Sequence, residues 1–286
     1  MNPSGGYSRY KLWRNTVKGV TLFILLLYGL FIFFPMYWML LTAIKGPAIA
    51  MRFPPELLPT EVTLVNFTFV FERTSILRWI WNTFFVSTTV TVFYVIFCGM
   101  SGYAFAQKRF PGQQFLFWLI ISTLMLPYFS YLIPLYITVV DMGFFNTYAG
   151  LILPMLSGPF GVFLMKQYMT SFPKELIQAA KVDGCGEFQG FWRIVVPVCK
   201  PAFAFLGIVI FIAQWNNFLW PLLITNSDLL RMLQVGIALF QQKSMTITDY
   251  GAIMASSTIA SLPIIILFLV FQRHIISGIT IGAIKG

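Results

Sequence analysis

Residues 173–201 read PKELIQAAKVDGCGEFQGFWRIVVPVCKP, the one long polar interruption in the second half of an apolar chain. Pro173 suits a first helical position, where a missing N–H costs nothing, and Glu175 in the first turn complements the helix dipole. Leu176, Gln178, Ala179, Ala180 and Lys181 favour helix, and Asp183-Gly184 is a turn dipeptide that ends it. After Gly186 aromatics resume at near-helical spacing (Phe188, Phe191, Trp192), and the run ends at Pro197. This predicts two short helices hinged at Gly184 and presented on one membrane face. Such a knob is either a docking element for a partner or a long loop that carries short helices.

The rest of the chain says which kind of protein surrounds it. Of 286 residues, 58% are hydrophobic and 10% charged, with a mean hydropathy of +0.80. A soluble domain carries about 25% charged residues, so the chain reads as a membrane protein. Six windows lack Asp, Glu, Lys and Arg altogether: 19–44, 79–107, 110–140, 142–165, 201–227 and 250–272. Each exceeds the roughly 20 residues needed to span a hydrocarbon core. The expectation is an all-α, polytopic fold with six transmembrane helices, at about 19–44, 79–103, 114–140, 147–168, 202–225 and 250–272. Residues 1–18 form a basic tail, and 45–78 and 226–249 form outer loops. The first apolar run is too long for a signal peptide and is expected to stay as an anchor.

Charge sets the orientation. With the N-terminus inside, thirteen of the 19 Lys and Arg are cytoplasmic, and only Lys45, Arg52, Arg73, Arg78, Arg231 and Lys243 are outside. Of the nine acids, only Glu175, Asp183 and Glu187 lie inside, so the inner face carries the whole net charge of +10. This is the positive-inside pattern, with both termini cytoplasmic in the inner membrane. The basicity therefore reads as topology, and nucleic acid is not an expected partner.

Several chemistries are absent. Cys98, Cys185 and Cys199 form no C-x-x-C pair, and His274 is the only histidine, so no disulfide frame or metal site is indicated. The spans hold no acid, which disfavours a proton-coupled carrier. Gly278, Gly282 and Lys285 have the wrong spacing for a phosphate loop, so energy must come from another chain. No internal repeat is visible, against the inverted-repeat carriers. Pro127 and Pro134 predict a kink in the third span, either structural or lining a water-filled path. The fifth span contains Gln214-Trp215-Asn216-Asn217-Phe218-Leu219-Trp220-Pro221. Amides are costly in hydrocarbon unless they face protein or water. They tie helices together, or they form with the indoles a surface suited to a sugar, which has both hydroxyls and apolar C–H faces.

The polar segment resembles the "EAA loop" of ABC-importer permease subunits: EAA, three residues, Gly, nine residues, then I-x-L-P. Ala179, Ala180, Asp183, Gly184, Ile194 and Pro197 fall in place, while Gln178 stands for Glu and Val196 for Leu. Residues 215–222, WNNFLWPL, resemble the "WNDFLWPL" of the carbohydrate-uptake, maltose-transporter-type permeases, with Asn217 for Asp. Trp81-Asn82-Thr83, Tyr103 to Ala106 with Phe110-Pro111-Gly112, Met125 with Pro127, Asp249-Tyr250-Gly251 with Met254-Ala255, and the ending from Gly278 to Gly286 are also similar. The likeness covers roughly residues 62–286.

This resemblance implies an ABC type I importer permease fold: a five-helix core, and a first helix that embraces a second permease subunit. It implies an ABC ATPase dimer under the cytoplasmic coupling loop 173–201, with ATP and Mg on that partner and no cofactor on this chain. Glu175, Gln178, Ala179, Ala180, Asp183, Gly184, Ile194 and Pro197 would serve the coupling. Outside it implies a solute-binding protein touching 226–249, and all around it membrane lipid. Trp215, Asn216, Asn217 and Trp220 would line the translocation path of a sugar, an oligosaccharide first. The alternative from another class, a six-helix intramembrane enzyme, needs a nucleophile–base or metal cluster.

The orientation has a direct check. Cysteines introduced at Thr60 and Ser227 are expected to react with an impermeant thiol reagent from outside intact cells, and one at Ser8 is not. Labelling at position 8 would invert the topology.

Overall fold

The structure, a computed structural model, describes residues 4–50, 54–243 and 250–283, and every element among them is helical. In chain order these are α1 (Ser4–Ala43), a turn at Pro47–Ala50, α2 (Val65–Arg73), α3 (Ile76–Gln107), α4 (Gln113–Ser122), α5 (Tyr128–Asp141), α6 (Tyr148–Ile152) and α7 (Pro159–Thr170). They continue as α8 (Lys174–Val182), α9 (Glu187–Gly190), a π turn at Phe191–Val195, α10 (Lys200–Trp215), α11 (Leu219–Ile224), α12 (Leu233–Lys243) and α13 (Tyr250–Ala283).

Trp13–Ala43, Ile76–Gln107 and Tyr250–Gln272 are long and apolar enough to cross a membrane. Three further helix pairs pass the same test but are bent: Gln113–Met125 with Tyr128–Asp141 by 104°, Tyr148–Met155 with Pro159–Thr170 by 41°, and Glu187–Val198 with Lys200–Trp215 by 82°. Counting each pair as one crossing gives six among the described residues.

The bends correct the expected spans. The third, expected over 114–140 with a kink from Pro127 and Pro134, turns sharply at Leu126-Pro127, where Leu126 is extended and proline lacks an N–H, while Pro134 lies inside α5. The fifth, expected over 202–225, stops at Trp215 and restarts at Leu219. The Asn216 side-chain amide there donates back to the Ile212 carbonyl at 3.0 Å, in competition with the helix ladder. The tail expected over 1–18 is helical from Ser4, and the outer loops contain α2 and α12.

The chain divides into two compact units, residues 1–73 with 243–259 and residues 74–242 with 260–286. In the first, the side chains of α1 over Trp13–Phe34 are exposed on every face. The chain after α1 is pinned. Asn66 donates to the carbonyls of Ala43 (2.9 Å) and Lys45 (2.6 Å), and the Thr63 amide donates to Ile44 (2.8 Å). Lys45 is buried, donates to the Glu56 carbonyl at 2.5 Å and lies 5.1 Å over the Trp38 ring. A buried ammonium requires such partners.

In the second unit, α3 packs against α7 and α10. Val86, Val90, Tyr94 and Cys98 recur every four residues and make one stripe. It meets Val162, Met165 and Met169 of α7 and Ala202, Leu206 and Ile210 of α10. Lipid tails are as apolar as these side chains, so helix association in a membrane depends on close approach. Gly99 supplies it against Phe203 and Gly102 against Met165; a Cβ would lie 2.4 Å from the Phe203 ring at one and 2.5 Å from Met165 Cβ at the other.

Two conservative substitutions separate close approach from helix propensity. Gly102→Ala also brings a methyl 2.8 Å from the Lys166 backbone nitrogen, and overpacking of this kind costs about 1–3 kcal/mol. Gly207→Ala meets nothing nearer than 3.7 Å and is expected to hold stability or raise it by up to about 1 kcal/mol. Thermal melting of the purified complex checks the pair, and equal melting would refute the packing account.

Candidate functional site

The 173–201 segment lies within the second unit and joins the end of α7 to the start of α10. It opens with α8, whose first turn carries Glu175 and whose face at Ile177 and Ala180 turns inward. Gln178 and Ala179 face out. The helix closes in a Schellman motif. Gly184 has φ +78, and the Cys185 amide donates to the Ala180 carbonyl at 2.9 Å. The expected hinge therefore sits at Gly184, with Asp183 exposed beside it.

The second arm differs from the short helix expected. From Glu187 it runs through the π turn to Val198. A π turn advances the chain by one extra residue, and here it turns both Phe191 and Val195 into the core. The Phe191 ring lies 5.5 Å from Tyr103, 5.2 Å from Trp192 and 6.3 Å from Phe203. Ala180 and Ile194 line the same small cleft, together with Tyr103 and Glu187. Of the eight residues expected to serve coupling, Ala180 and Ile194 hold the two arms together. Glu175, Gln178, Ala179, Asp183, Gly184 and Pro197 remain on the surface. Val182 (87% exposed) and Phe188 (65% exposed) add apolar area to this otherwise polar surface.

Lys108 clamps the segment to the end of α3: it is ion-paired with Glu187 and lies 5.0 Å over the Tyr103 ring. Burial works against the ammonium, but hydrogen bonds to Glu187 and Tyr103 outweigh it and hold its pKa above the ordinary lysine value. A raised lysine pKa favours the folded state at neutral pH, and that contribution is lost only as pH climbs through the raised value. Lys108 is therefore charged at physiological pH. Both partners are partly exposed, so the pair contributes under about 1 kcal/mol and acts mainly as a positioner.

The second expected cluster is split by the fold. Trp215 (1% exposed) donates its indole N–H to the Ala260 carbonyl at 3.1 Å, and Trp220 (0% exposed) donates to Gly150 at 3.0 Å. Both indoles are buried within this chain and donate to its own backbone. Asn216 is exposed, and Asn217 is half-buried with its amide 3.4 Å from Gln214 Oε1. The polar network that ties the chain together is elsewhere, on α3. Buried Asn82 donates to the carbonyls of Leu229 (2.8 Å) and Arg231 (3.0 Å) and accepts from the Tyr148 hydroxyl (2.7 Å). Its neighbour Thr83 accepts from the Leu233 amide at 2.8 Å. The signal in the sequence is a lone amide inside a charge-free window, weaker than the adjacent pair at 216–217. Among the described residues no group of His, Cys, Asp and Glu has the arrangement to hold a metal.

Among the described residues, a helical, multi-pass chain with bent crossings and a capped, exposed elbow has the architecture of a membrane permease. Residues 99–281 match the family described as binding-protein-dependent transport system inner membrane component, and the chain belongs to it. It is similar to the arabinooligosaccharides transport system permease protein AraQ of Halalkalibacterium halodurans, at 35% identity over 88% of this chain and 91% of that one. AraQ of Bacillus subtilis is 34% identical over 93% and 95%. The sn-glycerol-3-phosphate transport system permease protein UgpE of Brucella abortus is 32% identical over 90% and 93%. The fold superposes with a TM-score of 0.81 and 21% identity on a chain of a bacterial ABC transporter involved in the import of the acidic polysaccharide alginate, covering 91% of this chain and 97% of that one. The protein is thus a transport permease subunit of an ABC importer, and the intramembrane-enzyme alternative is set aside.

Melting separates the two kinds of residue at the α10 break. Trp215→Phe removes a buried hydrogen bond and is expected to destabilise by about 0.5–1.5 kcal/mol, with uptake falling in proportion. Asn216→Leu removes only a bond to its own helix and should leave the melting temperature near wild type. If both variants melt alike, the structural assignment of Trp215 is wrong.

Proposed function

We propose that this chain, paired with a second permease subunit, imports a sugar, an oligosaccharide first, using ATP and Mg held on an ABC ATPase dimer. The observation that carries the reading is the exposed elbow at Gly184, capped on one arm and locked by Phe191 to the core on the other. A rigid knob of this kind passes displacement from a docked ATPase into α10, which begins directly after the segment and at 82° to it. Gln178, Ala179, Asp183 and the apolar Val182 and Phe188 offer the docking face, while Glu175 begins the first arm. Pro197, exposed, ends the second arm near α10.

The sugar class is supported by the AraQ relatives, whose name specifies arabinooligosaccharides, while the UgpE relatives are named for sn-glycerol 3-phosphate, a phosphorylated polyol. Orientation with the elbow and both termini in the cytoplasm is supported by the distribution of Lys and Arg. The bare apolar surface of α1 suits the embrace of a second permease subunit and contact with lipid. A solute-binding protein would deliver the sugar from outside, against the segment that includes α12.

Gly184→Val tests the dock. No atom lies within 4 Å of the added Cβ, so the effect is one of backbone alone. The left-handed conformation costs a branched residue about 1–2 kcal/mol, roughly a 5- to 30-fold loss in a contact that needs the native turn. The variant is expected to insert normally, to co-purify less ATPase and to lose uptake. Full ATPase co-purification together with normal uptake would sink the docking reading.

A further inference from the structure

Between α1 and α2 the chain passes through Pro54-Pro55-Glu56-Leu57-Leu58-Pro59. Leu57 is 60% exposed and Leu58 76%, an apolar pair that nothing in this unit covers. Two hydrogen bonds set its height beside α1. The Tyr37 hydroxyl donates to the Leu57 carbonyl. Tyr37 lies six residues before the end of α1 at Ala43, about 9 Å along the axis, and long helical side chains lean toward the N-terminus. The Lys45 ammonium reaches back to the same level: it lies 5.1 Å over the Trp38 ring and donates to the Glu56 carbonyl at 2.5 Å. Farther on, the Thr63 amide donates to the Ile44 carbonyl at 2.8 Å, level with the helix end. The chain therefore descends beside α1 to Leu57 and climbs back to Thr63.

The composition suits that depth. Irregular backbone persists at membrane level only where its polar groups are satisfied. Pro54, Pro55 and Pro59 have no N–H to satisfy, and the carbonyls of Glu56 and Leu57 are the two that Lys45 and Tyr37 bond. On the far side of the tip the Thr60 hydroxyl donates to the Glu56 carboxylate at 3.1 Å, and Glu61 is exposed. The flanks are thus polar and the tip apolar. Tyr37 and Trp38 are the aromatics that mark the headgroup level of a crossing. Two exposed leucines at that level meet the boundary of headgroups and acyl chains. A protein arriving from the water would be met by a loop that rises away from α1, and this one turns down along it.

We infer that residues 54–60 form a membrane-dipping loop, whose Leu57-Leu58 tip rests among lipid acyl chains and is held at that depth by Tyr37 and Lys45. On the orientation proposed above the leaflet is the outer one. The inference needs α1 to cross the membrane and does not depend on the solute or on the ATPase. Residues 54–65 contain two acids, Glu56 and Glu61, and no base, so attraction to anionic lipid is not what holds the tip. Apolar contact holds it, and a zwitterionic membrane suffices. The loop fixes the height of α1 in the bilayer from the end opposite its basic tail.

The test uses the complete transporter in phosphatidylcholine proteoliposomes, with an environment-sensitive fluorophore on Leu58→Cys. A Cys185→Ser background leaves only Cys98 and Cys199 as native thiols, and both are buried. Phosphatidylcholine brominated on its acyl chains is expected to quench the probe at 58 about twofold or more, in low and high salt alike. A probe on Glu72→Cys, at the exposed end of α2, should be quenched much less. The brominated lipid fills both leaflets, so the result is independent of orientation. Tyr37→Phe removes one anchor and is expected to cut the quenching at 58 to about half, with assembly intact by co-purification. Water-like emission at 58 without quenching would put the tip in solvent and overturn the inference. Blue-shifted emission without quenching would overturn it as well, because a protein, the second permease or the solute-binding protein, would then cover the leucines. Quenching that is unchanged in Tyr37→Phe would overturn the anchoring by α1.

Discussion

A polypeptide backbone in apolar surroundings must keep its N–H and C=O groups bonded, and this chain breaks its helices where that is hardest. The second unit is arranged around satisfying those breaks. The Tyr94 hydroxyl accepts from the Gly161 amide at 3.2 Å, in the open first turn of α7. Thr147 caps α6 by accepting from the Gly150 amide at 3.1 Å, and Trp220 donates to the carbonyl of that same glycine. Asn146, the one described non-glycine residue with positive φ, accepts from the amides of Asn226 and Ser227 with its side chain. Tyr94, Trp220 and Asn146 are therefore each held by a backbone group as much as by packing.

Close approach is the second half of the same constraint. Tyr94 reaches the Gly161 amide because a glycine stands there; a Cβ would lie 2.4 Å from the Tyr94 ring and 2.6 Å from the Cys98 sulfur. Gly150 has a similar role, with the Phe144 carbonyl 2.3 Å from where a Cβ would be. Small residues thus bring bonding groups together as well as helices, and the hydrogen bonds that result fix the angles of the bent pairs. The 173–201 elbow is mounted on this frame through Phe191 and Lys108, so it is stiff where it meets the core and open where it faces outward.

Function follows from this division of labour. The surface of the elbow is free to meet a partner because its internal contacts are made by Ala180, Ile194, Phe191 and Val195. Its two ends sit directly on α7 and α10, so on the coupling reading proposed above a load applied at Gly184 would be carried into those helices. An isolated loop of the same composition would take up such a displacement within itself. The Schellman cap and the π turn prevent this, because they fix the backbone on either side of the hinge.

Local chemistry was legible in the residues themselves. The six charge-free windows gave the apolar crossings because a charge in hydrocarbon is too costly to hide, and Asp183-Gly184 announced the hinge because few other residues adopt that turn. The class of transporter was legible in the spacing from Gln178 to Pro197. What no local pattern contained was the direction of each side chain after packing. Trp215 and Trp220 look like a sugar platform in the sequence, yet both are interior donors, since an indole needs an acceptor once buried and the nearest ones belong to Ala260 and Gly150. Asn82, more than 140 residues from Leu229 and Arg231, gained its role only when α3 was laid beside that segment. Pro127 announced a kink, but its size of 104° was settled in the same way, by which neighbours lie close enough to pack, and that is a property of the assembled helices.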